Sequence, residues 1–195
     1  KNLKKYKNIF TKKVDLIPIT FTKGKIIFFD GKNYVATING ANLNLKFIHD
    51  SIEAVLKGKF LNDDIYINLN SKKIDNKIST DIILKMSNMN FLTKAKLFNF
   101  EKDKNIINGN FLIKKDKNKI TAVFDYKDNE LIINKSNLKN TFLDGKLEGK
   151  ITLLPYFNFD LDLNLNSINF TKLYSHFLAL DEKDKKKIFK INNKI

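Results

Sequence analysis

Residues 158–166 read NFDLDLNLN, and how this stretch is read decides the fold. Its odd positions are apolar (Phe159, Leu161, Leu163, Leu165), and its even positions are carboxylates or amides (Asn158, Asp160, Asp162, Asn164, Asn166). Successive side chains of a strand point to opposite faces, so this period of two makes one dry face and one wet face. The question it poses is what the leucines face: a second layer of protein, or something that is not protein.

The same alternation recurs outward from it. In ANLNLKF (41–47), Ala41, Leu43, Leu45 and Phe47 share a face, as do Ile65, Ile67 and Leu69 in DIYINLN (64–70). In ITAVFDY (120–126) the residues are Ile120, Ala122, Phe124 and Tyr126. In KLEGKITL (146–153) they are Leu147, Ile151 and Leu153, with Gly149 in the same phase. Between these runs lie polar turn clusters: DGKN (30–33), LNDD (61–64), EKDK (101–104), KKDKNK (114–119) and KDNE (127–130). Short strands with short polar connections, about a dozen of them, predict an antiparallel meander and an all-β fold.

Two regions depart from the pattern. Residues 1–20 are mixed and form a lead-in, with Pro18 marking the approach to a sheet module at 21–170. In 171–195, Leu173, Phe177 and Leu180 are spaced for a helix face, which predicts a short C-terminal helical segment. Asp181 is placed to cap the charged DEKDKKKIFK (181–190) that follows. No composition shift divides the chain into further domains.

All 36 basic residues are Lys, and the formal net charge is +15. Lys, Asn, Ile and Phe together are the residues of A/T-rich codons, so the charge reflects genome composition before it reflects a partner. The lysines are dispersed, with concentrations only in KNLKKYK (1–7) and DEKDKKK (181–187). A nucleic-acid surface needs clustered cations interleaved with exposed aromatics, so no specific nucleic-acid partner is expected. The absence of Cys excludes a disulfide framework and a thiolate metal site. There is no signal peptide and no apolar run of membrane-spanning length. The chain begins with Lys1 and stops on KINNKI, which reads as a piece of a longer protein whose membrane anchor lies outside it.

No chemical cluster emerges. His49 and His176 are far apart and lack patterned carboxylates. Asp160 and Asp162 share a face, but with Asn158, Asn164 and Asn166 around them they read as a solvated surface rather than a calcium or acid–base pair. Asp63 and Asp64 belong to a turn, and Gly31 and Gly40 are turn glycines. Phosphate-loop, G-x-S-x-G, H-E-x-x-H and EF-hand spacings are all missing. The expectation is a protein that is not an enzyme and uses no cofactor or metal.

Three stretches carry a family resemblance. FTKGKIIFFDGKNYVATINGANLNLKF (21–47) resembles the opening unit of the AsmA-like bacterial envelope proteins, through Gly24, Ile26, Phe28, Asp30 and then Ala41 to Phe47. IEAVLKGKFLNDDIYINLNSKKI (52–74) resembles the next hairpin, with Gly58 in place. SNLKNTFLDGKLEGKITLLPYFNFDLDLNLNSINFTKLYSHF (136–177) resembles a later portion, where Gly145 and Gly149 precede the alternating strand and a short helix begins near Phe170. The likeness covers Phe21 to Phe177, and the family's N-terminal membrane helix is not in this chain.

The resemblance implies a long, curled antiparallel sheet forming an open groove with an apolar inside. Such proteins are anchored in the bacterial inner membrane, extend into the periplasm and carry phospholipid toward the outer membrane. The residues expected to face acyl chains are Leu43, Leu45, Phe47, Ile65, Ile67, Phe159, Leu161, Leu163 and Leu165. The alternative is a structural or assembly protein of the envelope, a closed β-sandwich or barrel that binds protein partners. A second layer opposite the dry face separates the two.

Overall fold

The structure, a computed structural model, describes residues 16–30, 33–100, 106–152 and 158–179. The alternating runs form strands: β1 (Leu16–Asp30), β2 (Asn33–Ile48), β3 (Ser51–Phe60), β4 (Asp63–Ile74), β5 (Lys77–Met86) and β6 (Phe91–Phe100). They continue with β7 (Ile107–Lys115), β8 (Asn118–Lys127), β9 (Glu130–Lys139), β10 (Leu143–Thr152) and β11 (Asn158–Ile168), and a helix, α1, covers Phe170–Leu178. The eleven strands make one sheet in which each pairs antiparallel with the next in sequence. The predicted all-β meander is what forms.

The sheet stays open. Among the described residues, β1 pairs with β2 alone and β11 with β10 alone, and backbone contacts run between adjacent strands. A sandwich needs a second sheet, and a barrel needs β1 paired with β11. The closed form expected in the alternative reading is therefore not what the chain adopts.

Local chemistry explains the reversals. Leu61 and Asn62 have φ of 50° and 65°, and Asp128 and Asn129 have 51° and 68°. Two-residue hairpin loops with both central residues left-handed match the twist of the strands they join. β2 carries one extra residue against β3 between Asn39 and Asn42, where Gly40 adopts φ 57°. That bulge turns both Ile38 and Ala41 onto one face, where both are buried. β1 begins at Leu16, so the sheet takes in the end of the lead-in. Pro18 falls in a register shift of this edge strand, where a missing N–H is best tolerated.

Apolar burial is confined to one side of the sheet; on the other side Ser79, opposite Lys72, is also buried. Ile38, Ala41, Ile65 and Met86 pack with Ile26, Leu56, Phe60, Ile67, Leu84 and Phe91, while Ala122, Phe124 and Ile133 form a second patch. Among the described residues no side chain is completely buried, because neighbours on the same face do the covering rather than an opposing layer. Asp63 anchors the first patch at its end. The residue is 3% exposed, and its carboxylate accepts the backbone N–H groups of Asn88 and Met89 at 3.0 Å each and so fixes the β5–β6 turn.

α1 begins where expected, near Phe170. Its N-cap is Asn169, whose side chain accepts from the Lys172 N–H at 2.9 Å. The Asn169 N–H donates to the Phe142 carbonyl at 2.7 Å, and His176 stacks on Phe142 at 5.5 Å, tying the helix to the β9–β10 connection. Leu173 and Phe177 are its half-buried residues, and none is fully buried. Gly31, the cluster at 101–104, Leu153, Leu180, Asp181 and both lysine-rich ends lie outside the described residues.

Candidate functional site

Residues paired across an antiparallel ladder share a face, so the register traces rows along the sheet. One row runs Phe21, Leu43, Leu56, Ile67, Leu84, Thr93, Ile113, Ile120, Leu138, Gly145, Leu165 and touches every strand. A parallel row leads from Phe47 through Leu97, Phe124 and Ile133 to Leu161. A third contains Leu45, Leu69, Ile82 and Phe111. It reaches Leu163 through Leu147. At about 4.8 Å per strand step, a full row is about 48 Å long. One leaflet's tails occupy about half of a hydrocarbon core of about 30 Å, so a row is longer than an acyl chain.

All nine sequence-predicted residues fall on this inner face. Leu43, Ile67 and Leu165 share the first row, Phe47 and Leu161 the second, and Leu45 and Leu163 the third. Ile65 and Phe159 do not meet: Ile65 lies near the β5–β6 turn, opposite Met86, while Phe159 starts β11 at the other end of the strands. They also differ in availability. Ile65 is 6% exposed and serves as wall, whereas Leu163 and Leu165 are each 47% exposed and Phe159 62%.

Inner-face residues that alternation does not reveal come from β5, β7 and β9, whereas on β8 the alternation of Ile120, Ala122, Phe124 and Tyr126 gives the phase although Val123 interrupts it. These strands carry apolar triplets: Ile82–Ile83–Leu84, Phe111–Leu112–Ile113, Ala122–Val123–Phe124 and Leu131–Ile132–Ile133. A continuous apolar run hides its own phase. On β9 an extra residue against β8 also shifts the phase, so Ser136 and Leu138 face inward on one side of it and Ile133 and Leu131 on the other.

Polar groups on the inner face are matched locally. The hydroxyls of Ser71 and Thr80 bond to each other at 2.9 Å. Ser136 Oγ donates to the Leu147 carbonyl at 2.5 Å and accepts its N–H at 2.6 Å, bridging the register shift between β9 and β10. Among the described residues no buried side-chain polar atom lacks a partner. Lysines enter the inner phase at the margins: Lys73 pairs with Ile78 near one end of the strands and Lys115 with Phe91 near the other.

The outer face of β11 is wet, as its sequence indicates. Asp160 and Asp162 are exposed, and the register sets them beside Lys150 and Glu148. Lys150 Nζ contacts Glu130 Oε1 at 2.5 Å. His49 occupies the β2–β3 turn with φ 46° and His176 lies on α1, so the two histidines remain on separate elements. Among the described residues no three His, Asp or Glu side chains converge as a metal site would require. No described helix is long and apolar enough to cross a membrane. No family model, curated protein or solved structure matches the chain.

Proposed function

We propose that the chain is a non-enzymatic lipid-handling module of the AsmA-like kind, which passively carries phospholipid acyl chains along its inner face. The observation that carries this reading is an apolar phase that keeps register across eleven strands with no described residue packed opposite it. Moving a methylene from water onto that surface is worth about 0.8 kcal/mol. A tail that advances by one strand exchanges aliphatic neighbours for equivalent ones, so sliding along a row changes the free energy little. Headgroups stay at the margins, where lysines such as Lys115 offer cations to phosphate. In this reading the module works on the periplasmic side of the bacterial inner membrane, held by an anchor outside this chain, and passes lipid between the inner and outer membranes.

A second reading, an assembly protein of the envelope, draws support from the unpaired edges of β1 and β11, each able to accept a strand from a protein partner. Native mass spectrometry and lipid extraction of the purified chain separate the two. Co-purifying phospholipid, with saturable uptake of a fluorescent phospholipid, is the expected result. Lipid-free protein that leaves the probe unchanged overturns the lipid reading.

A further inference from the structure

The apolar triplets have a second consequence on the outer face. Three of their central residues, Ile83, Leu112 and Val123, point away from the acyl-chain surface, into a phase that elsewhere is largely polar. They floor an open cavity of about 820 Å³ between β5 and β9. That volume falls within the range of small-molecule sites, about 300–1,000 Å³. Val123 is 47% exposed there, an aliphatic side chain that folding leaves in water.

The rim is cationic, with Lys94, Lys96 and Lys135 along it. Lys94 lies between Ile83 and Leu112 and has no carboxylate across the ladder on either side, while Lys135 faces Val123 on β8 and the shifted stretch of β10 that holds Glu148 on its other side. Lys96 faces Asp81, the one acid lining the cavity, and also stands over the Phe98 ring at 5.7 Å. Lys94 and Lys135 are three strand steps and two residues along the strand apart, about 16 Å, with aliphatic surface between them. Cations bordering an apolar floor select an anion attached to an apolar body, since neither half alone satisfies the site.

We propose that this outer cavity is a second binding site, for a single-tailed anionic amphiphile whose tail lies on Ile83, Leu112 and Val123 and whose head is held by Lys94 or Lys135. It faces away from the acyl-chain surface and does not depend on what that surface carries.

The natural chain has no cysteine, so Asn137→Cys on the rim gives a unique attachment point for an environment-sensitive fluorophore. The labelled chain is titrated with decanoate below its micelle concentration and, separately, with neutral decyl maltoside. Decanoate is expected to shift the emission saturably, and the maltoside to bind more weakly by about tenfold or more, because it lacks the charge contact. Lys94→Glu with Lys135→Glu is expected to weaken decanoate by a similar factor. Val123→Asp is expected to do the same at an already exposed position, while Leu163→Asn on the inner face leaves the titration unchanged. Circular dichroism of each variant confirms the fold. Equal response to both amphiphiles, no response to decanoate, indifference to the lysine reversals or to Val123→Asp, or loss of binding in Leu163→Asn each overturns the proposal.

Discussion

β4, with DIYINLN, and β11, with NFDLDLNLN, present alternating aliphatic residues to the same face of the same sheet. Yet Ile65 of β4 is 6% exposed, whereas Leu163 and Leu165 of β11 are each 47% exposed. The difference lies in the neighbours. β4 is flanked by β3 and β5, and Ile65 packs with Met86, Ile38 and Ala41. β11 has β10 alone, and the residues opposite Leu165 and Leu161 are Gly145 and Gly149, which offer no side chain to share the cover. Alternation determines which face a residue joins. How deeply it is buried depends on what the adjoining strands place in the same row.

The largest effect that tests this contrast is expected at Ile65. Ile65→Asn removes packed methyls and buries an amide where no partner waits, which costs about 3–5 kcal/mol. Against a net stability of about 5–15 kcal/mol for an ordinary domain, that lowers the denaturant midpoint sharply or abolishes folding. A midpoint no lower than that of Leu163→Asn contradicts the view that β4 is wall and β11 is surface.

Gly149 offers a second break, at the β10–β11 seam itself. Its φ is 132°, and a Cβ there would lie 2.2 Å from the Asp160 carbonyl oxygen. Neither the conformation nor the space suits an L side chain, so Gly149→Ala is expected to strip β11 from β10 at a cost of about 2–3 kcal/mol. Because most contacts in this sheet run between neighbouring strands, the loss should stay local, as in repeat proteins. Hydrogen exchange is the measurement: amides on β10 and β11 lose protection while those on β3 to β6 keep theirs. Uniform loss of protection along the sheet contradicts the nearest-neighbour picture.

These contrasts also show what was legible in the sequence. The strands, the meander and the inner phase of β2, β4 and β11 follow from period two, since Leu43, Ile67 and Leu165 all alternate with polar residues. The helix near Phe170 follows from the change of period, although its cap, Asn169, reads in sequence as one more asparagine. The phases of β5, β7 and β9 were not legible, because Ile82, Ile83 and Leu84 are alike in character and only the pairing with β4 and β6 separates them. Asp63 read as a turn residue. Its partners, the N–H groups of Asn88 and Met89, belong to another turn brought beside it by the fold, and no local pattern announces such an encounter. The outer cavity was hidden for the same reason as the triplets.

The smallest stability effect is expected at Leu163, and it bears most directly on function. About half of this side chain already meets water, so Leu163→Asn forfeits only part of a leucine's burial, about 1 kcal/mol, and its amide recruits water rather than standing unsatisfied. Lipid binding should respond more strongly than the fold. Leu163 sits between Leu161 and Leu165 on the exposed end of the inner face, where an acyl chain has the most open surface to meet. An amide there interrupts the hydrocarbon contact. The control is Asn164→Leu on the opposite face, beside Lys146, which adds apolar surface where no tail should run. Denaturant midpoints and bound phospholipid measured for both variants give four numbers. The expected pattern is two folded proteins, with lipid content lowered by Leu163→Asn and unchanged by Asn164→Leu. Global unfolding of Leu163→Asn, in a chain that never carries lipid, means that the leucines of β11 face protein after all.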